Sequence, residues 1–337
     1  MTEHDAVEAI LNRAVPAGEA VCWPLPAELA RSPAIENRNR FARKFARCDA
    51  AEVARRYVYH SIEEVRRLVA LAERYALPRP LEGVGIELGA GTGVLASVVA
   101  RRPAVRAVLG VEICEMVARL LMPKIARAVL HRQAGKVVPV IGSFDDLRLP
   151  DGSVDFIVEI DSLHHSGDLP LTVAESCRVL KPGGTLLCFD RCHPDWLTDA
   201  EVQTMLARTY PPDFLRENGY PAGVVLTRRD NGEHEYRLFE WRAAFERAGL
   251  VLERVVEFRP RLKLRHAMRG LLEFARRRRP EARPPKYRPA MPWQYLREQW
   301  GAETHLEAGT RYVVAPKRTT VLALRKGVSA GQPARAA

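Results

Sequence analysis

One stretch constrains this chain more than any other: Glu87-Leu88-Gly89-Ala90-Gly91-Thr92-Gly93. It follows a short apolar run at 84–88 and precedes another at 94–100, so it reads as strand, turn and helix. Glycines at 89, 91 and 93 permit backbone conformations that side chains forbid, and they let a ligand approach the main chain closely. The helix behind them offers free N–H groups at its N-terminus. A dinucleotide-binding turn has the spacing G-x-G-x-x-G. Here Val94 occupies the third glycine position and an extra glycine stands at 93. That pattern suits a ligand without phosphates.

Strand and helix patterns alternate around this turn. Strands are expected over 84–88, 107–111, 136–141, 154–160 and 185–189, with helices over 94–100, 114–130 and 171–180 between them. Apolar strands separated by helices imply a parallel sheet covered on both faces. Residues 1–80 read as helical without a clear strand. Ser61 with Glu64 marks a helix start there, and Pro78 and Pro80 mark its end. Beyond 190 the pattern becomes irregular, then a helix at 238–248 ends at Gly249. Strands are expected at 250–258, 311–314 and 319–324. The organisation read from this is a helical cap at 1–80 and a sheet-forming core at 81–258, with a lid insertion near 191–237. A basic, Pro-rich insertion at 259–310, a last core strand at 311–326 and a disordered tail at 327–337 complete it.

Composition narrows the class. The 337 residues carry 47% hydrophobic and 28% charged side chains, enough to bury a sizeable core. The net charge of +11 resembles that of a nucleic-acid binder. However, residues 259–300 hold about thirteen basic against three acidic side chains, including Arg276 to Arg279, and the rest is near neutral. The six cysteines form no CxxC pair, which points to reduced thiols in a cytoplasmic protein. No secretory leader and no apolar run long enough to span a membrane is expected. No metal site is expected either, since His193, His234 and nearby carboxylates lack metal-ligand spacing.

Glu112 ends the second strand about 20 residues beyond the turn, where a carboxylate can accept bonds from ribose hydroxyls. Together these residues carry a resemblance. Ile86 to Gly93 looks like the first motif of the class I S-adenosylmethionine-dependent methyltransferases, and Gly110-Val111-Glu112 like their second-strand end. Leu149 to Val158, Leu163-His164-His165, Arg178 to Leu186 and Phe245 to Leu250 resemble the later motifs, in order, over roughly residues 83–258. The resemblance implies a Rossmann-like, mostly parallel seven-stranded sheet with helices on both faces, and S-adenosylmethionine as cofactor. It implies that Glu87, Gly89, Ala90, Gly91 and Gly93 hold the methionine part and Glu112 the ribose. Ile113 would pack on the adenine, and Glu159 and Asp161 would lie beside the sulfonium. The family often has Gly-Asp after the third strand. Here Gly142-Ser143-Phe144 stands instead, so Ser143 is the substitute acceptor and Phe144 packs on the base.

Methyl transfer from a sulfonium needs alignment and, for a hydroxyl nucleophile, a base. Three histidines are candidates. His165, with His164, follows the fourth strand and is read as structural, as part of the cofactor shell, or as a base. His193 follows the fifth strand as base, substrate contact or cap. His234 lies in the polar run Asn231-Gly232-Glu233-His234-Glu235-Tyr236, where the flanking carboxylates favour its charged form. Tyr57, Tyr59 and His60 are candidates to face the substrate from the cap. The expected activity is methyl transfer to oxygen or nitrogen of a small molecule or glycan. A nucleic-acid methyltransferase is the alternative, carried by the basic segment. It is disfavoured because Glu159-Ile160-Asp161-Ser162 replaces the Asp/Asn-Pro-Pro-aromatic motif of amino-methylating enzymes. A non-catalytic S-adenosylmethionine-binding protein is the third reading.

Overall fold

The computed structural model describes residues 3–12, 20–30, 32–56, 60–193, 195, 197–258, 304–306 and 319–327. The expected basic insertion lies outside these residues except for 304–306, as do the strand at 311–314, nearly all of the tail, and Tyr57 and Tyr59.

The strands are β1 (Val21–Cys22), β2 (Gly83–Leu88), β3 (Val105–Glu112), β4 (Val137–Ile141), β5 (Val154–Ile160), β6 (Leu180–Asp190), β7 (Leu250–Phe258), β8 (Thr304–Leu306) and β9 (Thr319–Lys326). They form one sheet in the order β1-β4-β3-β2-β5-β6-β9-β7-β8. All pairs from β1 to β6 are parallel, and β9 runs antiparallel to both β6 and β7. The resemblance implies seven strands, the sequence pattern marks eight, and neither places one before residue 80. Among the described residues there are nine, because short edge strands, β1 and β8, flank the other seven. Two residues at Val21–Cys22 carry no readable period; their pairing with Val140 and Ile141 is what makes them a strand.

Alternation along each strand distributes side chains to two apolar cores. Phe156 and Val158 of β5, and Leu187 and Phe189 of β6, join the core under helices Pro33–Arg43, Ile62–Tyr75, Val94–Ala100 and Met122–Leu130. Ile157, Leu186 and Cys188 join the opposite core, under helices Leu169–Val179 and Leu238–Arg247. The expected helix over 114–130 is interrupted by a π-turn at Val117–Leu121. Pro123 supplies the reason: it has no N–H to continue the regular ladder. Ser61 caps helix Ile62–Tyr75 by accepting from the Glu64 N–H at 3.2 Å. Among the described residues, no helix is long and apolar enough to cross a membrane.

β2 and the helix after it are locked together by a buried carboxyl. Glu87 Oε2 accepts from the Ala96 N–H at 2.7 Å, taking up one of the unpaired donors of the helix's first turn. Burial pushes the Glu87 carboxyl up to about 8; the Ala96 N–H opposes this and the charge of Glu112 adds to it. The fold therefore holds a proton that the unfolded chain has already released above the ordinary carboxyl range near ~4.3. Stability conferred by neutral Glu87 is present at low pH and declines as pH rises from that range through about 8. Glu87→Gln keeps the acceptor for Ala96 and removes this proton linkage. Urea denaturation across pH 5–9 is expected to show a wild-type decline, on the order of a few kcal/mol, that the variant lacks. Parallel pH profiles for the two proteins would contradict the assignment.

Candidate functional site

The carboxyl ends of β2, β3, β5 and β6 lie side by side, and the loops leaving them form the site. Ligands in open α/β sheets bind at this edge. Gly89, Gly91 and Gly93 have φ of +60°, +52° and +72°, so the turn uses the left-handed region at alternate positions. The turn is pinned by Ala90 N–H donating to Val111 O at 2.8 Å and Gly93 N–H to Ala90 O at 2.7 Å. A Cβ at Gly91 would meet nothing within 4 Å, whereas one at Gly89 would lie 2.6 Å from Ser162 Cβ and 3.6 Å from the Phe144 ring. Gly91 thus opens onto free space, and Gly89 marks where the β5 loop closes against the turn.

Glu112 stands beside this opening. Its Oε2 accepts from the Gly91 N–H and its Oε1 from the Cys114 N–H, each at 2.8 Å. A carboxylate fixed this way has lone pairs left for hydroxyl donors in the opening. Ile113 and Phe144 are half-buried at its margins.

Three cofactor residues expected from the sequence hold bonds within the protein. Glu87 sits behind the turn, 1% exposed, with Ala96 as its partner. Glu159 is fully buried and accepts from the N–H and Oγ–H of Ser162 at 3.1 and 2.9 Å, so it holds the β5 loop from beneath. Ser143 Oγ accepts from Asp145 N–H at 3.1 Å within its own turn. Asp161, by contrast, is exposed at the rim with φ of +49°. It meets His60 Nε2 at 2.6 Å, which brings the segment before helix Ile62–Tyr75 to the mouth. Burial works against charging His60, and its bonds to Asp161 and Glu64 outweigh that.

The three histidines gather around the loop at 232–238 but differ in surroundings. His165 is held neutral: burial, then the charges of His164, Arg38 and Arg191, drive its pKa down to about 2, and its ring bonds the Gly232 backbone. His193 grips Glu235 Oε2, and its backbone pairs with residues 236–238. His234 donates its N–H to His164 O at 2.8 Å, and its Nδ1 lies 3.2 Å from the same oxygen. A carbonyl only accepts, so Nδ1 carries the proton and Nε2 keeps the lone pair in the neutral ring. The carboxylates flanking His234 in sequence do not touch it. Both pair with guanidinium groups instead.

Sequence reasoning missed the groups that organise this mouth. Asp190, at the end of β6, accepts from His164 Nδ1 at 2.6 Å, His164 N–H at 3.0 Å and Arg191 N–H at 2.5 Å. Burial opposes its ionisation, and His164 and the Arg191 amide overcome this to hold its carboxyl below the usual range. An acid ending an apolar strand was a readable signal; its partners were not. Arg38, on helix Pro33–Arg43, acts electrostatically on both Cys114, after β3, and His165, after β5. Asp161, His164 and Asp190 each bring a ligand-capable atom within 4.8 Å of the others, a different grouping from the one weighed in sequence. Asp190's oxygens there are already taken by N–H donors.

Comparison with known proteins locates the same stretch. Residues 86–188 match a family model described as a methyltransferase domain. The chain is 32% identical over 80 residues to a dimethylglycine N-methyltransferase of Parasynechococcus marenigrum, covering 24% of this chain and 29% of that protein. It is 38% identical over 64 residues to a ubiquinone/menaquinone biosynthesis C-methyltransferase of Methylobacterium nodulans, covering 19% of this chain and 25% of the relative. The chain thus spans under a third of the length of these curated relatives. Among solved structures, a putative sarcosine dimethylglycine methyltransferase of Galdieria sulphuraria is 22% identical, with 79% of this chain and 84% of that chain covered and a TM-score of 0.45. The matched residues run from β2 through β6 and so include the glycine turn and Glu112: this part of the chain is a methyltransferase domain, of the kind that takes S-adenosylmethionine as cofactor.

Proposed function

We propose that this protein transfers the methyl group of S-adenosylmethionine to a nitrogen or oxygen of a small molecule or glycan, with His234 as the base. The observation that carries this reading is the bond of His234 Nδ1 to the His164 carbonyl, which leaves Nε2 as a proton acceptor at the mouth.

The residues present fit the cofactor. Gly89, Ala90, Gly91 and Gly93 would receive its methionine part against the main chain, where Gly91 faces open space. Glu112 would accept from the ribose hydroxyls, Ile113 and Phe144 would flank the adenine, and Asp161 would stand by the amino acid end. Bound there, the cofactor supplies an electrophilic methyl carbon on sulfur. The chain must then hold the acceptor in line, exclude water and take a proton from a hydroxyl as it attacks or from an ammonium to free the amine that attacks. Neutral His165 lines the mouth without adding charge near a sulfonium. The helices before residue 80 act as the cap, with His60 on Asp161 joining cap to core. The segment 191–237 closes the other side. The relatives named for dimethylglycine make small amines the first acceptors to try.

A labelled-donor screen over amines, phenols, short glycans and RNA is expected to return an amine or hydroxyl acceptor; transfer to RNA alone would overturn the reading. On that acceptor, His234→Ala should lower kcat by about 100-fold while leaving S-adenosylhomocysteine affinity unchanged. Unaltered kcat would remove His234 from the chemistry. Gly91→Ala places its Cβ in open space at φ +52°. It should therefore cost only about 1 kcal/mol of stability yet weaken S-adenosylhomocysteine binding more than ~10-fold by calorimetry. Retained affinity would place the ligand elsewhere.

A further inference from the structure

His234 stands between two acidic residues whose side chains are buried while its own is half-buried. Glu233 Oε2 accepts from Arg191 Nη1 and from Arg228 Nε, both at 2.7 Å. Glu235 Oε1 meets Arg228 Nη1 at 2.5 Å and Arg191 Nη1 at 3.4 Å, and its Oε2 is held by His193. Two guanidinium groups thus bridge two carboxylates, which compensates charges that would otherwise be costly to bury.

Geometry makes arginine specific here. Arg228 uses two different nitrogens for two different carboxylates, a fork that a lysine ammonium does not reproduce. Arg191 follows Asp190, the carboxylate that fixes His164. The carbonyl that receives His234 and the clamp that orients it are therefore both set from the end of β6.

We infer that Arg191 and Arg228 are positioning residues for His234. By holding the carboxylates on either side, they turn the intervening imidazole onto the His164 carbonyl and so fix the Nδ1–H tautomer, with the lone pair on Nε2. This rests on the reading of His234 as the base, and it names what makes that base competent. Neither arginine contacts the reacting atoms.

The tautomer can be observed directly without knowing the acceptor. Full-length protein labelled with 15N-histidine gives distinct ring nitrogen shifts for the two neutral tautomers. Wild type is expected to show His234 as Nδ1–H, assigned by its loss in His234→Ala. Arg228→Lys, which keeps the charge and loses the fork, should shift the ring to a mixture of tautomers. S-adenosylhomocysteine affinity should stay within about twofold, showing an intact donor site. Glu235→Gln, which keeps shape and loosens both arginines, should give the same shift and serves if the arginine variant does not fold. A retained Nδ1–H signature in these variants, or a wild-type ring in the other tautomer, would overturn the inference. The base reading fails separately, if His234→Ala leaves kcat unchanged.

Discussion

A carboxylate near the carboxyl end of each of four central strands takes up backbone N–H groups of the loops that follow. Glu87 of β2 holds Ala96, Glu112 of β3 holds Gly91 and Cys114, Glu159 of β5 holds Ser162, and Asp190 of β6 holds His164 and Arg191. Parallel strands that end together leave main-chain donors at one edge, and each one buried without a partner costs about 1–3 kcal/mol. Acids at these positions satisfy the donors and fix the loops in one step. The site is the space between loops so held.

The pattern separates two kinds of acid that look alike in sequence. Glu87 and Glu112 lie on the face of the helix Val94–Ala100, whereas Glu159 and Asp190 lie on the opposite face with Ile157 and Cys188. Glu87 and Glu159 are sealed beneath their loops, and burial raises both above the ordinary range. Glu112 stands beside Gly91, where the turn opens. Asp190 stays ionised below its usual range because His164 and a backbone amide face it. The sealed acids thus serve as structural bonds, and Glu112 and Asp190 stand where polarity shapes the mouth.

Local pattern made most of the sheet legible. The strands 154–160 and 250–258 are found at their expected bounds, because apolar residues with clear stops define them. The glycine turn was legible for the same reason, since φ above zero at alternate positions demands glycine. What escaped depends on distant partners. Val21–Cys22 is a strand only through β4. Glu233 and Glu235 seemed partners of His234 by adjacency, yet they pair with Arg191 and Arg228. His60 reaches Asp161 across 101 positions, which no window of sequence reveals.

The central claim is that the opening at Gly91 and Glu112 receives the sulfonium nucleoside. Its most direct test is titration of 15N-labelled protein with S-adenosylhomocysteine, following the amide resonances. The account predicts that Gly91 and Cys114, the two amides bound to Glu112, shift among the most strongly, and that NAD leaves them in place. Saturable binding that moves other amides and leaves these two unperturbed would contradict it.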